Sequence, residues 1–461
     1  MNRFNCACFL FFLLLVNTFA GRPKPRKKAI IHRKTLHEVV TSYNRSTVFP
    51  LKLSKNNRYF VTQHNEPFLL NADAGWLLFH KLRFEQARQY IDNRHSKFFN
   101  AVFLQVLPPE PNLKNAYQSA PFNTNGDFSD PKEAYFKYIE DLVRYANNQQ
   151  MIVGLAPTWL DFDGSNWAEV QKQNGTEKCR NYGQYLGKRF GKYNNVLWIM
   201  SGNQELPGNE AVQGAIAEGI KSAAPNHLMT YQATSPQSSA DILTNATWLD
   251  LNMVNLYHKK TEAVRTSELP QTYELLVKEY QKQPNKAFVV GELQHKYENI
   301  DNEQTVRRQV YWAMLSGGAG NCYGSSVCAF EKNWQQKLNL KSTLSMSRFY
   351  KIFNGLPWEL LQPETSGELV VSGQGNIGDD DYSPMAVLPN YRLALMYMPV
   401  GHPVKIDMAK MKGSNLRVLW INPKTNQRWA GGYFKPRAVR VLIPPTLSDD
   451  WILLIGNVGK K

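Results

Sequence analysis

From about residue 48 the chain alternates short apolar runs with stretches whose apolar residues recur every three or four positions. This is the pattern of strands followed by amphipathic helices. The runs predict strands over 68–72, 101–106, 151–156, 196–200, 227–231, 249–256, 287–290 and a glycine-rich eighth over 317–323. Between them, Phe84, Ala87 and Ile91 fall on one helical face. Tyr135, Ile139, Leu142, Val143 and Ala146 do the same, as do Val212, Ile216, Ile220 and Ala223. Two further stripes run through Tyr273, Leu276, Val277 and Tyr280, and through Val306, Val310 and Met314. Asp130-Pro131 with Glu133 reads as a capping box with proline in the first helical turn. Eight strands with intervening helices predict a (β/α)8 barrel of the TIM type, in which functional groups gather where the strands end.

The pattern changes near residue 355. Apolar runs at 368–372, 392–398, 404–408, 416–421, 438–443 and 451–455 are separated by turn signals such as Pro399-Val400-Gly401, Lys412-Gly413 and Asn422-Pro423. No helical stripe intervenes, which predicts a small C-terminal β-sandwich. The expected organisation is a signal peptide over 1–20, a basic arm over 21–47, the barrel over 48–355 and the sandwich over 356–461. No linker of low complexity separates barrel from sandwich, so the two are expected to pack closely.

The first twenty residues set the compartment. Asn2-Arg3, an apolar run over 9–16 and Thr18-Phe19-Ala20 read as a cleavable export signal, too short to span a bilayer. A secreted or periplasmic protein is expected. After cleavage Cys179, Cys322 and Cys328 remain; Cys322 and Cys328 are near enough in sequence to bridge, but spacing does not fix geometry. No CxxC cluster or HExxH helix marks a zinc site, and no metal or organic cofactor is expected. The net charge of +16 is partly local: residues 21–34 hold seven cations and no acid. That arm suits electrostatic contact with anionic surfaces or is a solvated leader. Without a recognisable module, nucleic acid is not an expected partner.

Polar groups follow the apolar runs closely. Asp73 and Trp76 follow the first, Trp159 the third, Asn203 and Glu205 the fourth, His258 the sixth, Glu292 and Tyr297 the seventh, and Tyr323 lies in the eighth. Retaining glycosidases need two carboxyl groups about 5–5.5 Å apart, one a nucleophile and one a proton donor. Carboxyls after strands four and seven can meet that need. Glu292 directly ends a buried strand, where a carboxyl without a role is costly; the alternative is an ion pair with Lys296 or a barrel-rim arginine. Glu205 is a candidate acid or an ordinary loop acid. Asp73 is placed to hold sugar hydroxyls or to cap the next helix, His258 to bond substrate or structure, and Trp76 and Trp159 to stack on sugar rings or fill the core.

These residues resemble a family. Residues 68–76, ending in Asp73-Ala74-Gly75-Trp76, resemble the opening motif of the apiosidase-like glycoside hydrolases. The likeness continues through Arg94 and residues 98–106, the run from Val196 to Asn203, 248–258, and Gly291-Glu292 with Tyr297-Glu298. It closes with Arg307-Arg308, Tyr311-Trp312 and 316–324. The C-terminal part, through residues 420–423, Pro444-Pro445 and Asp449-Asp450-Trp451, is similar to a companion domain labelled collagen-binding. The resemblance implies hydrolysis with retention and a nucleophilic Glu292. It also implies an aspartate in a Gly-Gly-Asp pattern as the acid, where this chain reads Ser201-Gly202-Asn203. Asparagine cannot donate a proton as a carboxylic acid does. Either Glu205 substitutes from a shifted position, with Asn203, Asp73, Trp76, Trp159, His258, Tyr297 and Tyr323 holding the sugar, or the barrel is impaired and serves as a carbohydrate-binding or adhesion protein. In the first case a monomer cleaves side chains of a complex polysaccharide or oligosaccharide.

Overall fold

Eight short runs of β-branched and small apolar residues pair in parallel, and the chain between them crosses each time through a helix or its remnant. In the computed structural model, which describes residues 48–160, 166–200, 208–256, 271–293 and 302–456, the strands are β1 Leu70–Ala74, β2 Ala101–Gln105, β3 Ile152–Ala156, β4 Val196–Met200, β5 Met229–Tyr231, β6 Asn252–Asn255, β7 Phe288–Glu292 and β8 Gly320–Tyr323. Their order in the sheet is β5-β4-β3-β2-β1-β8-β7-β6. A parallel bridge from Gln232 to Met253 joins the two outermost strands and closes the barrel. Apart from a single helical turn at Leu78–Lys81, the helices are α1 Phe84–Ser96, α2 Glu133–Asn148, α3 Asn166–Phe190, α4 Glu210–Ala223, the single turn α5 Ser239–Ile242, α6 Gln271–Gln281, α7 Glu303–Leu315 and α8 Lys341–Phe353. All the described residues belong to one compact unit spanning 45–461.

Side-chain alternation sorts each strand between two cores. Leu70, Ala72, Phe103, Leu197, Ile199, Met253 and Val289 fill the barrel interior, plugged from below by Phe49, Leu51 and Phe60. Val102, Leu104, Val153, Trp198, Val254 and Val290 face the helices. The expected capping box is not formed: α2 starts at Glu133 behind Lys132 without a side-chain cap. Asp130 instead accepts bonds from Asn123 Nδ2 (2.9 Å) and Thr124 Oγ1 (3.1 Å), closing the preceding loop. Helix α3 is kinked at Gly175, whose φ of 67° is non-helical, and beyond the kink Cys179, Tyr182, Leu186 and Phe190 line its buried face.

Beyond α8 the chain is all β: β9 Gln362–Pro363, β10 Val370–Ser372, β11 Met385–Val387, β12 Leu393–Met398, β13 Val404–Asp407, β14 Leu416–Ile421, β15 Arg428–Phe434, β16 Val439–Leu442 and β17 Trp451–Gly456. They form a six-stranded sheet, β9-β11-β12-β17-β14-β15, and a three-stranded one, β10-β13-β16. Strand β15 gives no alternating signal because Gly431 and Gly432 interrupt it at a bulge opposite β14. The central strands of the large sheet are buried on both faces. Ala394, Met396, Val418, Trp420 and Leu453 face the small sheet. Leu395, Tyr397, Leu419, Ile421 and Ile452 join the core of the barrel helices. Tyr311 of α7 stacks on Tyr397 at 4.6 Å, and Arg307 grips Asp450 through Nε (2.6 Å) and Nη2 (3.2 Å) while the Tyr397 hydroxyl donates to the same carboxylate (3.0 Å). Barrel and sandwich therefore pack closely.

Candidate active site

The barrel's C-terminal rim is assembled by strand parity, and one irregularity decides it. On β7, Val289 points into the barrel and Val290 outward. Strict alternation would then send Gly291 inward and Glu292 outward. A β-bulge intervenes: Val290 pairs with Val254, but Glu292 pairs with Asn255. Met253 lies inside the barrel and Val254 outside, so Asn255 and its partner Glu292 both face inward. Gly291 suits the extra position, since a Cβ there would sit 2.5 Å from the Met253 thioether and oblige that side chain to move. Glu292 is buried at 6% exposure. The main chain returns at once to the wall, with Leu293 N–H donating to the Cys322 carbonyl (3.1 Å) on β8.

Around this carboxyl the rim layer is aromatic and polar. Trp76, just past β1, lies 4.4 Å from Trp159, just past β3, between ring centroids, and 6.1 Å from Phe103. Both tryptophans are only 6% exposed, so the structure brings them together against one another as a floor. Gln105 ends β2 opposite the inward Ala156 and is 5% exposed. Among the described residues its Oε1 and the Trp76 Nε1 are buried with no hydrogen-bond partner. A buried acceptor and a buried donor of this kind suit a group that both donates and accepts, as a hydroxyl does. The sequence reading missed Gln105; its signal was position, two residues beyond the inward Phe103. Cys322 also faces the interior, and burial pushes its thiol well above its ordinary value. Cys179, Cys322 and Cys328 are all free thiols, so the possible 322–328 bridge is not made.

Two expected sugar contacts lie elsewhere. Asp73 falls within β1, not after it, and on the outward parity. It is fully buried beneath α1, where Tyr90 and Arg94 both donate to its Oδ2, so it neither caps a helix nor reaches the rim. Burial pushes its carboxyl up, against the pull of Arg94 and Tyr90, and Asp73 in turn holds Arg94 in its charged form. Tyr323 pairs in register with Asp73 on β8 and shares its outward face. Its hydroxyl meets Ser342 Oγ at 2.7 Å and Thr343 Oγ1 at 3.3 Å on α8, with the ring 5.9 Å from Phe99. It is a wall residue. Asn203, Glu205, His258, Lys296, Tyr297 and Glu298 lie outside the described residues. Among the described residues no group of three or more His, Cys, Asp or Glu side chains is arranged to hold a metal ion.

With this geometry in place, comparison with known proteins is direct. The apiosidase-like catalytic domain family matches residues 54–359. A second family, described as "Putative collagen-binding domain of a collagenase", matches residues 370–456. Among solved structures, one titled "Glycoside hydrolase" is 20% identical, with a TM-score of 0.78, and the alignment covers 89% of this chain and 97% of that one. A family 5 glycoside hydrolase from Bacteroides vulgatus is 19% identical, with a TM-score of 0.79, over 90% of this chain and 95% of that one. At such identity these two likenesses concern the fold. No curated protein sequence matches the chain. A catalytic-domain match over more than half of the 461 residues, on a closed barrel with its companion sandwich, places this chain in the apiosidase-like family.

Proposed function

We propose that the protein is an exported retaining glycoside hydrolase that cleaves side chains of a polysaccharide or oligosaccharide, with Glu292 as nucleophile. The observation that carries this is the bulge at Val290/Glu292, which turns a strand-end carboxyl into the barrel mouth within the family's catalytic domain. Glu292 Oε attacks the anomeric carbon as the glycosidic bond breaks, and Glu205 gives its proton to the leaving oxygen. Glu205 then takes a proton from water, which displaces the Glu292 ester and restores both residues. This two-carboxylate chemistry requires neither metal nor organic cofactor. Trp76 and Trp159 form the floor under the sugar, while Trp76 Nε1 donates to a substrate hydroxyl and Gln105 Oε1 accepts from it. Asn203, His258 and Tyr297 are assigned to the same sugar.

The test is covalent. A panel of activated aryl glycosides identifies a substrate, and its 2-fluoro analogue should then leave one glycosyl adduct on the peptide carrying Glu292. Turnover with the adduct on a different carboxylate would overturn the assignment. Asn203 in the acid position favours a second reading, a lapsed barrel that binds glycans. Saturable glycan binding without hydrolysis of any activated glycoside would select it.

A further inference from the structure

The barrel has a second concave feature, at the end that the proposed chemistry does not use. Glu292 closes β7, so the mouth lies at the C-terminal ends of the strands. At their N-terminal ends, the turn 54–59 meets the C-terminus of α6, the Gly317-Gly318 turn before β8 and the connector 358–362 into the sandwich. These segments leave a cavity of about 220 Å³ between them. Sites for drug-sized ligands span roughly 300–1,000 Å³, so this one suits a single ring.

The walls are aromatic, and the groups left over are polar. Trp358 stands edge-on to Tyr59, with 6.0 Å between ring centroids. The Tyr280 ring is backed by the Arg58 guanidinium at 4.1 Å, which donates to the Tyr280 carbonyl and to Asn285 Oδ1. Gly317, at a φ of 86°, admits that ring, since a Cβ there would stand 2.3 Å from it. Arg58 is therefore occupied within the wall. Glu359 is not: among the described residues no cation pairs with its half-buried carboxylate, which only its own main-chain N–H engages. Burial raises that carboxyl, and burial together with the nearby Glu359 charge raises the Tyr59 phenol. Neither the Tyr59 hydroxyl nor the Trp358 Nε1 bonds to any described residue.

Aromatic walls alone would be ordinary core. A space kept open among them, beside a carboxylate, a phenol and an indole N–H without partners in the described chain, suits a ligand with apolar ring faces and several hydroxyls. A sugar ring has both. The one free charge is negative, which disfavours a uronate or a sulfated ring.

We infer that this cavity is a non-catalytic binding site for one neutral sugar ring, at the opposite end of the barrel from its mouth. Glu359 accepts from the sugar's hydroxyls, and Tyr59, Tyr280 and Trp358 enclose its faces. The inference stands apart from the catalytic reading, since Glu292 takes no part in it.

The test is saturation-transfer NMR on the whole exported chain carrying Glu292→Gln, with and without Trp76→Ala to remove binding at the mouth. The probes are the methyl glycosides of glucose, galactose, mannose, xylose and arabinose, with glucuronate and choline as charged controls. At least one neutral glycoside should receive transfer that survives Trp76→Ala and exceeds that of either control. Trp358→Ala should abolish it, and E359Q/Y59F should weaken binding about fivefold or more. Thermal melting reports folding, and the conservative pair carries the test where Trp358→Ala unfolds. No transfer to any neutral glycoside once Trp76 is replaced, undiminished binding in E359Q/Y59F, or stronger transfer to glucuronate or choline would each overturn the proposal.

Discussion

The two faces of the barrel strands bury carboxyl groups for opposite purposes. On the outward face of β1, Asp73 is locked under α1 by Tyr90 and Arg94 and never meets the mouth. On the inward face of β7, Glu292 shares a layer with Asn255, in a rim that also holds Trp76, Trp159 and Gln105. Both acids lie at strand ends, and both belong to motifs that resemble one family. Side-chain parity alone distinguishes a wall carboxyl from a rim carboxyl, and at Glu292 that parity is reversed by a single extra residue. The same division separates Arg307 and Asp450, which join barrel to sandwich, from the residues assigned to chemistry.

The sharpest way to break this comparison is Glu292→Gln. It should lower turnover of an aryl glycoside by about 10⁴-fold or more, with an unchanged melting temperature. A variant that unfolds, or one that stays active, would move Glu292 into the wall class. The reverse pattern is expected for Arg94→Met, which strands a buried carboxylate, and for Arg307→Met, which does the same to Asp450. Each should cost about 3–5 kcal/mol in urea unfolding. The residual folded enzyme should keep its kcat.

The wall also predicts an acid response. His80 accompanies Tyr135 and the Gln105 carbonyl beneath the rim, and burial lowers its imidazole to about 4; burial does the same to His227. Both titrate near 6.5 once unfolded, so the unfolded chain takes up protons first as the pH falls. Stability should be level above about pH 6.5 and decline between there and about pH 4, by roughly 2 kcal/mol per histidine at pH 5. His80→Asn should remove about half of that slope. The smallest effect belongs to Gln105→Leu. Losing an acceptor for one sugar hydroxyl should reduce kcat/KM about tenfold, and unfolding should be no easier because an unmet buried oxygen disappears. A destabilised variant with normal kinetics would return Gln105 to the wall.

Much of this architecture is legible in the sequence, and its gaps have physical causes. All eight barrel strands follow from apolar runs bounded by helical stripes, because a parallel sheet buried on both faces leaves a continuous signal. Helix α3 is hidden because Asn174-Gly175 reads as a break, and the structure does kink there. Strand β15 is hidden by its glycine bulge and its exposure. The site is harder to read because its assignments turn on single-residue register. A strand that ends at residue 74 instead of 72 takes Asp73 from loop into strand, where the alternation points it outward. The bulge at Gly291 does the opposite for Glu292. Trp76 and Trp159 are recognisable as rim residues, but their mutual contact depends on the distance between two loops, which no periodicity encodes.

The double-sided strands at the centre of the sandwich carry a consequence for protein engineers. Trimming this enzyme to a minimal catalytic cassette would uncover Leu395, Tyr397, Leu419, Ile421 and Ile452 on one fragment and the matching helical surface on the other, leaving two sticky halves. Any chimera that borrows the hydrolase should therefore transplant its rear module in the same cut.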